Sequence, residues 1–143
     1  REVNDPELLS GIYRVQASIS LEREALETAD LDSLQAVEVA RESGARSQVA
    51  RALLVRGCVL GSRALSETGA RSTVVDRKAT EAFEQALDAF REMGDLVRQR
   101  AGLRSYSNYL TQRGGGPRLG AVEARLNEVS QELAQVSGAP LGQ

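Results

Sequence analysis

The sequence predicts an all-α domain of about six helices, paired into three antiparallel hairpins that stack as a short solenoid. Three observations lead there. Glu-x-Gly recurs at Glu42/Gly44, Glu67/Gly69 and Glu92/Gly94, a spacing of 25 residues each time, as in chains built from repeated units. Between these marks the apolar residues return at helical intervals. No stretch alternates polar and apolar side chains over a β-branched run, which a half-buried strand requires.

Asp5-Pro6 opens the first predicted helix, 6–28. Aspartate is a good N-cap, and proline suits a first turn because its missing N–H would have no partner there. The break at Ala29-Asp30 carries no glycine. A second helix over 31–43 runs to Gly44. The third, 46–66, carries Val49, Leu53, Leu60 and Ala64 on one stripe, widened by Leu54 and Val55. The fourth, 72–93, starts at Thr73-x-x-Asp76, which resembles a capping box. It places Phe83, Leu87 and Phe90 on one face with Ala79, Ala82, Ala86 and Ala89. Gly44, Gly69 and Gly94 each follow a helical pattern and can close it in the left-handed conformation. Asp95 caps the fifth helix, 95–113, and Gly116-Pro117 opens the sixth, 117–136. In that last helix Leu119, Val122, Leu126, Val129, Leu133 and Val136 recur in steps of three and four. Burying each contributes roughly 1.5–3 kcal/mol as an upper bound, against ~1 kcal/mol lost to Gly120.

Short connections make consecutive helices antiparallel neighbours. A second period of 50 argues that the hairpins stack: Ala36, Val37, Ala40, Arg41, Glu42 and Gly44 are echoed by Ala86, Leu87, Phe90, Arg91, Glu92 and Gly94. Many alanines beside only three tyrosines and two phenylalanines suit helices that approach closely.

At 143 residues, 27% charged and 41% hydrophobic, the chain reads as one soluble domain over 1–143. Its start at Arg1 suggests a segment of a larger protein. No apolar run approaches the roughly 20 residues of a membrane span and no signal peptide opens it, so no membrane contact and a cytoplasmic setting are expected. With no His and one Cys, nucleophilic triads and Cys/His zinc sites are excluded. The expectation is therefore no catalytic residue, no metal site and no cofactor. Cys58, in an apolar stretch, reads as a small buried hydrophobe. Residues 1–40 carry a net charge of −6 and residues 41–63 a net of +4. The simpler reading is that the two regions lie together and neutralise; the other is that they steer an acidic partner. A pI near 5.3 and arginines without interleaved aromatics argue against nucleic acid. The glycines of Arg113–Gly120 read as a connector, since no strand precedes them and no Gly-Lys-Ser/Thr ends them. Gly-Ala-Arg-Ser, at Gly44–Ser47 and again at Gly69–Ser72, reads as one helix end followed by the next helix start.

ATEAFEQALDAFREMGDLVRQRAGLRSYSNYLTQRGG resembles tetratricopeptide repeats of the long-helix bacterial type. The residues that carry the likeness are Ala79, Phe83, Ala86, Phe90, Gly94, Asp95, Ala101, Tyr109, Leu110 and Gly114. It extends over about 45–114 and is weaker over 1–44; Ser107 stands where Gly or Ala is usual, and the hairpins exceed 34 residues. The resemblance implies a non-catalytic scaffold of a bacterial regulatory protein, binding a peptide or partner protein in a concave groove lined by the first helix of each hairpin. In that register the groove residues are Arg51, Leu54, Cys58 and Ser62 from one helix, and Arg104, Asn108, Thr111 and Gln112 from another. Arg104 and Asn108, four apart, would hold a carboxylate of an acidic peptide. Tyr106 and Tyr109 are expected to pack against the last helix rather than to anchor a partner. That helix caps the stack, or else self-associates. The alternative function is an oligomerisation or autoregulatory domain attached to a kinase, ATPase or protease outside this segment.

Overall fold

The computed structural model describes residues 5–138, and residues 1–4 and 139–143 of the expected domain lie outside them. The described residues form six α-helices and no strand: α1 (Pro6–Glu22), α2 (Leu26–Ser43), α3 (Arg46–Ser66), α4 (Gly69–Glu92), α5 (Leu96–Gln112) and α6 (Pro117–Ser137). The class expected from the sequence is the class observed.

Boundaries follow the local chemistry where a cap or a glycine marks them. Asp5 accepts hydrogen bonds from the Glu7 and Leu8 amides, and Asp95 from the Arg98 amide at 3.0 Å. Gly44 and Gly94 take φ of 71° and 69° behind α2 and α4. Two boundaries differ from expectation. The first break falls at residues 23–25 rather than at Ala29-Asp30, because Glu24 itself adopts φ 59°. A non-glycine residue pays ~1–2 kcal/mol for that conformation, so composition does not mark the turn. The second difference is the start of α4. Gly69, with φ 62°, is its first residue rather than the closure of α3. Thr73 therefore sits inside the helix, its hydroxyl donating to the Gly69 carbonyl at 3.3 Å, and forms no capping box.

Helices pack on their chain neighbours: α1 on α2, α2 on α3, α3 on α4, α4 on α5 and α5 on α6. Beyond these, the backbone of α1 lies against α3 and that of α3 against α5, whereas the backbones of α2, α4 and α6 stay apart from one another and that of α1 from α4, α5 and α6; α6 still reaches α4 through Arg118, whose guanidinium lies 3.6 Å from the Glu84 carboxylate. The odd helices thus form one layer.

Phe83 of α4 is the centre of the larger core cluster. Tyr106 stacks on it with ring centroids 4.8 Å apart, and Tyr109 at 5.9 Å. Both tyrosines belong to the core, as expected, but their stacking partner is α4; α6 contributes Arg118, whose guanidinium donates to the Tyr106 hydroxyl at 3.3 Å. Room for these rings comes from glycines on α3: a Cβ at Gly57 would stand 3.0 Å from Phe83 and one at Gly61 2.8 Å from Tyr109. The second cluster joins Ala36, Ala40, Ala50, Ala52 and Phe90 through small faces. On α6, Val122 and Val129 are buried and Leu119, Leu126 and Leu133 lie against the core, while Val136 is 78% exposed.

The charge asymmetry of the sequence is partly resolved by contact. Asp30 of the acidic stretch is gripped by Arg56 and Arg63 of the basic one, and Arg56 also donates to the Asp30 carbonyl at 2.9 Å and the Ser33 hydroxyl at 3.0 Å. Burial alone would raise the Asp30 carboxyl, but the hydrogen bonds and charges of the two guanidiniums outweigh it and hold the group below the usual carboxylate range. No helix among the described residues is long and apolar enough to cross a membrane.

Candidate partner-binding groove

The layer of odd helices carries two clefts side by side. The first, about 370 Å³, runs between α1, α3 and the start of α5. Its charged lining is Arg14 of α1, Arg51 of α3 and Arg98 of α5, with Glu22 at one end; Val15, Ile19, Leu54, Val55 and Phe90 supply an apolar wall. The second, about 190 Å³, is lined by Cys58, Ser62, Ser105, Asn108 and Gln112 over a floor of Phe83 and Tyr109.

Three guanidiniums on one small cleft are electrostatically costly, and the cost falls on Arg14. Burial first, then the like charges of Arg51 and Arg98, lower its proton affinity. Its Nη1 is buried without a hydrogen-bond partner, and its Nη2 lies 3.3 Å from where a Cβ on Gly11 would stand. Arg98 is tied back to Asp95 at 2.9 Å. Burial would push the Asp95 carboxyl up, but the hydrogen bonds from Arg98 and the charges of Arg98 and Arg51 bring it below its ordinary value. Asp95, held by Arg98, and Glu22 at the end of the cleft thus stand against three guanidiniums. Arg14 and Arg51 make no salt bridge among the described residues. An anionic group entering here would meet charge-assisted donors already oriented by three helices.

Of the residues expected to form a groove, Arg51 and Leu54 line the first cleft, and Cys58, Ser62, Asn108 and Gln112 the second. Arg104 is elsewhere. It opens onto a shallow depression between α5 and α6 with Ser107, Glu123 and Asn127, so the structure does not bring it together with Asn108 in one cleft. Thr111 is exposed and lines neither cleft. Cys58 is partly buried as a residue, and burial raises its thiol pKa, with a hydrogen bond from Ser105 offsetting part of the rise. The thiol therefore stays protonated at neutral pH. Sequence reasoning missed Arg14 and Arg98. No common register marks them: Arg14, Arg51 and Arg98 stand nine, six and three residues past the N-caps Asp5, Ala45 and Asp95.

Among the described residues no group of three or more Cys, Asp or Glu side chains could hold a metal ion. Comparison with family models, with curated proteins and with solved structures gives no match.

Proposed function

We propose that the three hairpins, α1/α2, α3/α4 and α5/α6, stack as a short tetratricopeptide-like solenoid whose inner layer of odd helices is a docking groove for an acidic segment of a partner protein. The stacking reading is supported by contacts that run only between neighbouring hairpins and along the odd helices. One observation carries the docking reading: Arg14, Arg51 and Arg98 converge on one cleft from three different helices, and Arg14 has a buried N–H without a partner. A fold gains nothing from crowding like charges, so such crowding points to an absent counter-charge. The apolar wall of Leu54, Val55 and Phe90 beside it suits a segment that carries an apolar residue next to its acid. The protein is then a non-catalytic interaction module.

The test is fluorescence anisotropy with a labelled hexa-aspartate peptide, and hexa-asparagine as control. Hexa-aspartate binds, and more weakly as salt rises. Losing one charge-assisted contact is worth about 1.5–3 kcal/mol, so Arg51→Ala and Arg14→Met each weaken binding by about 10- to 150-fold. Arg104→Ala leaves binding unchanged. Because Arg14 is repelled in the free protein, Arg14→Met keeps or raises Tm. Absence of hexa-aspartate binding at millimolar peptide, or equal binding by all three variants, overturns the proposal.

A further inference from the structure

Leu8, Ile12, Val15 and Ile19 stand at i, i+4, i+7 and i+11 of α1 and are 56, 38, 59 and 43% exposed. They form a continuous apolar stripe on the side of the helix away from buried Ser10 and Ala17. The internal geometry of the fold says what such a face is for. Counted from the N-caps Asp5, Ala45 and Asp95, Ile12 stands where α3 has Ala52 and α5 has Gly102. Ile19 stands where they have Val59 and Tyr109. All four of those residues are buried. Ala52 lies with Ala36, Val37 and Ala40 of α2; Gly102 lies under Leu87 of α4, and Tyr109 on Phe83 of α4. In α3 and α5, then, this register is covered by a helix of the preceding hairpin. In α1 it carries two isoleucines that no described element covers.

We propose that a second copy of this chain covers it, through a two-fold contact of α1 on α1. The opposite end of the helix array does not match the stripe: α6 commits Leu119, Leu126 and Leu133 to its own core and leaves Glu123, Asn127 and Gln131 exposed. Head-to-tail stacking would set those polar groups on isoleucines. The stripe does match itself. An antiparallel two-fold centred between Ile12 and Val15 sets Leu8 opposite the second copy's Ile19, and Ile12 opposite its Val15. The same axis brings Arg23 of one copy beside Asp5 of the other. Such an interface is isologous and closes at two copies. A single-helix contact of this kind is small, so the dimer is a weak one. The stripe shares Val15 and Ile19 with the wall of the arginine cleft, whereas Leu8 and Ile12, the two positions replaced below, do not line it.

Sedimentation equilibrium from micromolar to millimolar protein tests it. The mass rises from 15.4 kDa towards twice that value. Leu8→Glu with Ile12→Glu holds it at the monomer, with far-UV circular dichroism and hexa-aspartate binding unchanged. For the orientation, single cysteines are placed in a Cys58→Ala background and oxidised. Leu8→Cys mixed with Ile19→Cys cross-links, whereas Leu8→Cys alone does not, because eleven residues at 1.5 Å rise keep its two copies roughly 16 Å apart. A monomer at millimolar concentration, a dimer indifferent to the glutamates, or a Leu8→Cys homodimer each overturns the proposal.

Discussion

Replacing Gly61 by alanine probes how closely α3 and α5 approach. The added methyl would stand 2.8 Å from Tyr109 Cδ1 and 3.2 Å from Cε1 and Cγ. Carbon atoms prefer about 3.5–4.0 Å, so relief requires the ring or a helix to move by several tenths of an ångström. The ring has little freedom: Tyr109 is 5% exposed, stacked on Phe83, and its hydroxyl donates to Asp76. Overpacking of this kind costs about 1–3 kcal/mol, while replacing a mid-helix glycine returns ~1 kcal/mol of propensity. The net expectation is a loss of about 0–2 kcal/mol, or up to roughly 8 °C in Tm for a chain of this size.

Gly120 is the internal control. It lies in α6 with nothing within 4 Å of an added Cβ, so Gly120→Ala keeps the propensity gain of ~0.5–1 kcal/mol and raises Tm. Urea unfolding followed at 222 nm measures both, and a cycle with Tyr109→Ala isolates the clash. In that background Gly61→Ala should turn stabilising, with a coupling near 2 kcal/mol. If Gly61→Ala is as stable as Gly120→Ala, or if Tyr109→Ala leaves its effect unchanged, the tyrosine does not set the spacing of α3 and α5.

Two further predictions use the polar contacts between hairpins. Asp30→Asn leaves Arg56 and Arg63, whose side chains are 16 and 24% exposed, without their carboxylate, and should cost about 2–4 kcal/mol by urea unfolding. The native carboxyl lies below its unfolded value, so the stability it contributes is complete above about pH 4 and is lost as pH falls through the folded value; the variant should lack that acid-sensitive part. Tyr109 is shifted the other way, by burial and then by its hydrogen bond to Asp76 and that carboxylate's charge, so the folded protein resists forming the phenolate. The unfolded chain ionises near pH 10, and stability should therefore fall as pH rises beyond it. Tyr109→Phe should flatten that decline while costing about 1–2 kcal/mol at pH 7; an equally steep decline in the variant would refute the assignment.

Much of this fold is written in short-range chemistry. α3 falls at 46–66 as expected, and Asp5, Gly44, Gly94 and Asp95 act at the helix ends where their side chains or φ values place them. The misplaced boundaries lack such chemistry: the α1–α2 turn rests on a left-handed glutamate, and the start of α4 on a glycine that looks like a stop. The groove is less legible for a different reason. Which side chains share a cleft depends on the rotation of each helix about its axis, and helical spacing fixes neighbours on one helix only. Arg104 and Asn108 are one turn apart and still line different depressions, whereas Arg14, Arg51 and Arg98 are distant in sequence and share one.

The arginines of the basic stretch show how that rotation divides labour within a single helix. Arg51, Arg56 and Arg63 all belong to α3. Arg56 and Arg63, seven apart, lie on one face and take Asp30 of the neighbouring hairpin. Arg51, five residues before Arg56, is turned some 140° around the axis, away from that face and into the cleft. An acid is present for the first two because α2 packs there; the third makes no salt bridge among the described residues, and of the acids near its cleft Asp95 is already held by Arg98 and Glu22 lies at one end. Neutralisation between the acidic and basic stretches therefore accounts for the arginines that face a helix. It does not account for Arg51, which shares its cleft with Arg14 and Arg98. The two readings of the charge asymmetry apply to different faces of the same helix, and the cleft is where a counter-charge from another molecule has room to enter.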